Sequence, residues 1–110
     1  MMRSTRVTPT NIITEFHAQI QAALGPRLKE LWLFGSRARG DNKPDSDYDF
    51  LVVADGNRSE LRRLVAAAEN DIMLKSGEVF ASVVYTTELW RTARNAPLGI
   101  NVQREGRRIA

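Results

Sequence analysis

The chain has 110 residues, of which 43% are hydrophobic and 26% charged, with a net charge of +3 and no cysteine. These values fit one small globular domain with a modest core, and they exclude disulfides, thiolate nucleophiles and zinc–thiolate sites. No apolar run is long enough to span a bilayer and no secretory signal is visible, so no membrane partner is expected and the cytoplasm is the default location.

In chain order, residues 1–7 read as a frayed terminus, and Thr8-Pro9 reads as the cap and first position of a helix. Ile12, Phe16, Ile20 and Leu24 recur every fourth residue, which predicts an amphipathic helix that Gly25-Pro26 stops. His17, the one histidine, lies off that stripe and reads as a surface or boundary residue. Residues 28–34 predict a first strand and residues 48–54 a second. Asp55-Gly56 turns the chain, and Asn57 with Glu60 resembles a capping box. Leu61, Leu64, Val65, Ala68 and Ile72 give the next helix its apolar face. After Gly77, Glu78–Tyr85 predicts a third strand, with Glu78, Phe80, Ser82 and Val84 on one face. Thr86 or Thr87 caps a short helix carrying Leu89, Trp90 and Ala93. Pro97 starts another with Leu98, Ile100 and Val102, and Arg107–Ile109 reads as a last short strand. Trp32, Phe80, Tyr85 and Trp90 each lie in an apolar run and are expected in the core. Helices alternating with few strands predict an α/β (α+β) two-layer sandwich. No repeat or linker divides the chain, so residues 1–110 are expected to form a single domain.

The chemistry concentrates between the first two strands. Gly35-Ser36 closes one strand, and Asp47-Tyr48-Asp49 opens the next, with ten residues between them. Strand alternation points Asp47 and Asp49 to one face and Tyr48 to the other. Two like charges side by side conflict unless a cation pairs them, and hard oxygen ligands suit Mg²⁺. Asp and Ser also favour plain turns, so a lone Asp-x-Asp would be a weak signal. Gly35 lets a backbone approach a ligand closely. Ser36 and a following helical turn can present donors to a phosphate, although Ser36 can equally be a helix cap. Arg37 and Arg39 add cationic charge nearby, divided between phosphate contact and surface pairing. Asp41, Lys43 and Asp45 read as solvated loop charges. Thirteen of the 16 basic residues are arginine, which suits bidentate phosphate or carboxylate contacts. A balance of +3 is nonetheless too small to argue for direct nucleic-acid binding.

Gly35-Ser36, ten residues and Asp47-Tyr48-Asp49 together resemble the signature of the DNA polymerase beta-like nucleotidyltransferases. The Arg37-Ala38-Arg39-Gly40 filling and Ser46 resemble the minimal nucleotidyltransferase (MNT) branch, which includes antitoxins paired with HEPN toxins. The resemblance implies a small mixed sheet with helices mainly on one face. It also implies nucleotide binding by Gly35, Ser36, Arg37 and Arg39, catalysis and Mg²⁺ binding by Asp47 and Asp49, and transfer of AMP from ATP or another nucleoside triphosphate. The implied acceptor is a hydroxyl, such as a tyrosine of a partner HEPN toxin. The family usually carries a third carboxylate on the later strand. In mid-strand this chain offers Phe80 or Ser82, and the acid at the strand start, Glu78, lies about 13 Å from Ser82 along an extended chain. That is far for a ligand beside Asp47 and Asp49, so the expectation is a site without its third acid, with Glu78 as the third metal ligand the alternative. Two other readings stand beside transfer: a module that binds nucleotide with weak or no turnover, and an antitoxin that masks its partner by contact.

Overall fold

The computed structural model describes residues 11–110. The expected frayed start and the Thr8-Pro9 cap lie outside the described residues. The first helix, α1, runs over Ile12–Leu24 and buries Ile12, Phe16, Ile20 and Leu24, the four-residue stripe of the sequence. A 3₁₀ turn over Gly25–Arg27 delivers the chain to β1, Leu28–Phe34. A single helical turn, α2 (Ser36–Arg39), and an irregular loop lead to β2, Tyr48–Ala54. The long helix α3, Arg58–Ser76, begins where the Asn57 side chain accepts the Glu60 N–H, and it ends at Gly77 in the left-handed conformation that glycine favours. Then come β3 (Phe80–Thr86), α4 (Thr87–Ala93), α5 (Pro97–Glu105) and β4 (Arg107–Arg108). Thr86 is the residue that caps α4, its hydroxyl accepting the Leu89 N–H at 3.1 Å.

The four strands form one mixed sheet in the order β3-β2-β1-β4. β1 lies antiparallel to both β2 and β4, whereas α3 carries the chain back across the sheet so that β3 runs parallel to β2. As the central strand, β2 is buried at every position except Asp49, which is half-exposed. On one face α1 and α3 cover Leu31, Leu33, Tyr48, Phe50, Val52, Phe80 and Val84. Phe16 is the hinge of that layer, its ring 4.5 Å from Phe50 and 5.1 Å from Phe80 between centroids. Replacing so enclosed a ring by alanine typically costs about 3–5 kcal/mol. The opposite face carries a smaller cluster of Leu51, Val53, Trp90 and Val102, with Trp32, Phe34 and Tyr85 against it. The expected two-layer arrangement therefore has its main helical layer on one face, and the short helices α4 and α5 partly cover the other.

The third strand differs from its sequence reading in extent and in parity. It begins at Phe80, because Gly77 to Val79 form the turn out of α3, and Glu78 lies in that turn. In the parallel register Asp49 pairs with Ala81 and Phe50 with Ser82. Phe80, Ser82 and Val84 thus share the face of Phe50, against α3, and not the face of the two aspartates. The outer edge of β3 is occupied at both ends: Arg58 Nε donates to the Val84 carbonyl at 2.9 Å, and the Phe80 N–H meets the Met73 sulfur at 3.4 Å. No helix among the described residues is long and apolar enough to cross a membrane.

Candidate active site

The aspartate pair lies at the start of β2. Antiparallel pairing sets Phe34 opposite Asp49, so the end of β1 and the Gly35-Ser36 corner fall directly beside the carboxylate. Gly35 has a φ of +73° and caps α2, whose first turn closes when the Ala38 and Arg39 N–H groups donate to the Gly35 carbonyl, each at 3.1 Å. A Cβ built at Gly35 would collide with the Asp49 side chain. Glycine is required here twice over, by its backbone conformation and by the space the carboxylate occupies. Ser36 opens α2, and the residue that caps the helix is Gly35.

Asp49 is half-buried beside exposed Asp47. Burial pushes the Asp49 carboxyl above the usual carboxylate range, the Asp47 charge pushes it the same way, and Arg39 opposes both. Arg39 itself lies at the surface between Asp41, at 3.2 Å, and Glu105, at 3.5 Å. This donor set fits a hard divalent cation: two carboxylates close enough to repel, one of them held beside a backbone corner that has no side chain to fill the space. The structure thus brings together Gly35, Ser36, Asp47 and Asp49, with Arg39 electrostatically coupled to them.

Arg37 and Glu78 go elsewhere. The Arg37 guanidinium is 13% exposed, lies 3.5 Å from the Glu78 carboxylate, and stacks 4.1 Å from the centre of the Tyr48 ring. It also donates from Nε and Nη2 to the Ser46 carbonyl, at 3.1 and 2.8 Å, and from Nη2 to Pro44 at 3.2 Å. Arg37, expected at the phosphates, is held in this structure by this set of protein contacts. Glu78, the candidate third metal ligand, is the other half of this contact. Its carboxylate is engaged by Arg37, and no group of three or more acidic, histidine or cysteine side chains among the described residues is gathered for a metal. The β3 position beside Asp49 is Ala81, which is exposed, and not Phe80 or Ser82. Sequence reasoning passed over Ala81 because alternation tells which residues share a face and not which face it is; register decides that. Glu105, the distant partner of Arg39, left no signal beyond its charge.

An open concavity of about 340 Å³ occupies the other end of the parallel strand pair, lined by Asp55, Gly56, Thr86, Thr87, Glu88 and Arg91. None of its lining residues belongs to the Asp47–Asp49 cluster. There the Thr87 hydroxyl donates to Asp55, and Lys29 lies 3.5 Å from the same carboxylate. The hydroxyl above all, and the ammonium after it, hold Asp55 below the usual carboxylate range, with slight burial opposing them.

Residues 15–96 match the nucleotidyltransferase domain family. A curated relative from Methanocaldococcus jannaschii, named as a putative protein adenylyltransferase, is 35% identical over 95 residues, covering 86% of this chain and 91% of its own. Among solved structures, a toxin-antitoxin with AMP-PNP superposes with a TM-score of 0.52 at 22% identity, over 86% of this chain and 70% of that one. A mutant of the toxin-antitoxin MntA-HpeT gives 0.57 at 19% identity, over 96% and 73%. These two likenesses establish the shared fold.

Proposed function

Since the chain belongs to the nucleotidyltransferase domain family, we propose that it transfers AMP from ATP to a hydroxyl acceptor, a tyrosine on a partner HEPN-type toxin being the acceptor class that fits an antitoxin role. The observation that carries the reading is the approach of Asp49 to Gly35, with Asp47, just ahead of β2, close enough for its charge to raise the Asp49 carboxyl. The acceptor oxygen forms a bond to the α-phosphorus as its proton passes to solvent, the bond from that phosphorus to the bridging oxygen breaks, and pyrophosphate leaves. Mg²⁺, held by Asp47 and Asp49, would neutralise the triphosphate and increase the nucleophilicity of the acceptor oxygen. Ser36 and the free N–H groups at the start of α2 hold the outer phosphates, and Gly35 leaves them room to approach. Arg39, exposed between two surface acids, can turn to the same phosphates. The protein contributes position and charge, with no covalent intermediate.

Ala81 favours a second reading beside the first. The strand position next to Asp49 carries no third carboxylate, so the acceptor proton has no side-chain base there, and transfer is slow or the module acts by binding. Incubation with MgCl₂ and ATP labelled on the α-phosphate, alone and with a co-produced helical partner, tests both. Label on the partner supports transfer. Tight Mg-ATP binding with no label on any protein supports the binding module, and no nucleotide binding at all overturns both.

A further inference from the structure

Arg37 spans nine residues of chain to reach the segment that carries the aspartates. Its guanidinium bonds twice to the carbonyl of Ser46, the residue immediately before Asp47. Its flat face lies 4.1 Å from the ring of Tyr48, the residue between Asp47 and Asp49. The same Nη2 also reaches Pro44 and Glu78, and Glu78 precedes Val79, whose carbonyl accepts the Tyr48 N–H at 2.8 Å. One side chain, itself rooted in α2 next to Ser36, thus ties together the loop ahead of Asp47, the ring between the aspartates and the turn into β3. Few side chains can do this. The work needs several donors in a fixed fork and a planar cation that stacks, and lysine has neither. The contact is also mostly shielded from water, with side-chain exposures of 13% and 22% for Arg37 and Glu78, so it is not an ordinary surface pair.

We propose that Arg37 is a positioning residue that touches no nucleotide and instead locks the Pro44–Tyr48 backbone so that Asp47 and Asp49 present their carboxylates as one unit, with Glu78 holding the guanidinium in place. The inference rests on the metal-holding role proposed above for the two aspartates, and its test separates the two. Amide hydrogen exchange of the metal-free chain reads the lock directly. In Arg37→Lys the Ser46 and Tyr48 amides, bonded to Lys43 and Val79, exchange about tenfold or more faster, the loss of at least one charge-assisted hydrogen bond. The Val52 amide in the core keeps its protection. Titration with Mn²⁺ then shows affinity falling by about 10–100-fold, as when an outer partner of a metal ligand is lost. ATP in excess EDTA binds the variant as it binds the wild type. Glu78→Gln, which keeps the side-chain shape, loosens the same amides to a smaller degree and gives the same readout should Arg37→Lys fail to fold. Unchanged Ser46 and Tyr48 exchange in the folded variants overturns the proposal. So does loss of metal-free ATP affinity in Arg37→Lys, which would make Arg37 a phosphate contact, or loss of Mn²⁺ in Glu78→Gln without loosened amides, which would make Glu78 a ligand. A wild-type chain that takes up no Mn²⁺ sinks the role of the aspartates, and the exchange rates still decide whether Arg37 is the lock.

Discussion

Asp49 stands near the start of β2 and Asp55 directly after its end, and the two carboxylates live under opposite conditions. At Asp55 a hydroxyl donates and an ammonium stands close, so the negative charge is favoured. At Asp49 burial and the neighbouring Asp47 act against the charge, and Arg39 only partly offsets them. A hollow of about 340 Å³ lies at the Asp55 end, yet the Asp55 carboxylate there already has its partners in the fold. A carboxylate whose partners are supplied by the fold serves the fold. One whose charged form is disfavoured by burial and a like charge is of the kind that a cation from outside would satisfy. Shape and electrostatics therefore mark different ends of one strand.

The comparison breaks most sharply at the aspartate pair. Asp47→Asn with Asp49→Asn should lower Mg²⁺-dependent transfer by more than about 10³-fold, since the metal's charge stabilisation goes with the ligands. Thermal unfolding at neutral pH should be unchanged or occur at a higher temperature, because a like-charge pair has been removed. A double variant that still binds Mg-ATP like the wild type ends the metal assignment.

A smaller effect sharpens the same contrast by completing the site. Ala81→Asp should raise transfer by about 10²-fold, the lower end of what a positioned base contributes. Ser82→Asp should not raise it. That residue faces the α3 layer, where Glu69 is already pushed up by burial with the Ser82 hydroxyl opposing, so a second carboxylate there adds repulsion and costs stability. Initial rates of labelled AMP transfer and urea midpoints for the two variants distinguish the positions.

The smallest effects are in pH dependence, and their signs differ. The folded chain binds the Asp49 proton more tightly than the unfolded chain does. Its contribution favours the folded state below the ordinary carboxylate value and is lost as pH rises through the raised folded value. Asp55 contributes stability above its unfolded value, and this is lost as pH falls through its lowered folded value. Asp49→Asn should therefore flatten the upper part of the stability–pH curve and Thr87→Val the lower part, as followed by urea unfolding across the carboxylate range. Identical curves for both variants would mean that the two ends of β2 are not electrostatically distinct.

Much of this was legible in the chain. The period of Ile12, Phe16, Ile20 and Leu24 marks α1, and the apolar runs on either side of the Gly35–Asp49 stretch mark the central strands. The nearness of Asp47 to Asp49 is legible from their spacing, because a two-residue separation within one stretch of chain is a local property. What stayed hidden depends on contacts between distant segments. The parity of β3 follows from its register against β2, which no pattern within residues 78–86 encodes. The fate of Arg37 follows from the turn at Glu78, 41 residues away, arriving beside Tyr48. An arginine next to Gly35-Ser36 looks like a phosphate ligand until that turn is in place. Covering of the second sheet face was equally obscure, since α4 and α5 are short and expose Leu89, Leu98 and Ile100 while burying Trp90 and Val102.

The plugged edge of β3 bears on behaviour in a crowded solution. An outermost strand normally offers alternating donors and acceptors that another chain can extend, the first step toward fibrous association. Here the Arg58 guanidinium takes the Val84 carbonyl and the Met73 sulfur takes the Phe80 amide, leaving only a short central stretch around Ser82 for an incoming strand to grip. Two side chains from the neighbouring helix thus guard solubility at a strand that has to stay at the rim.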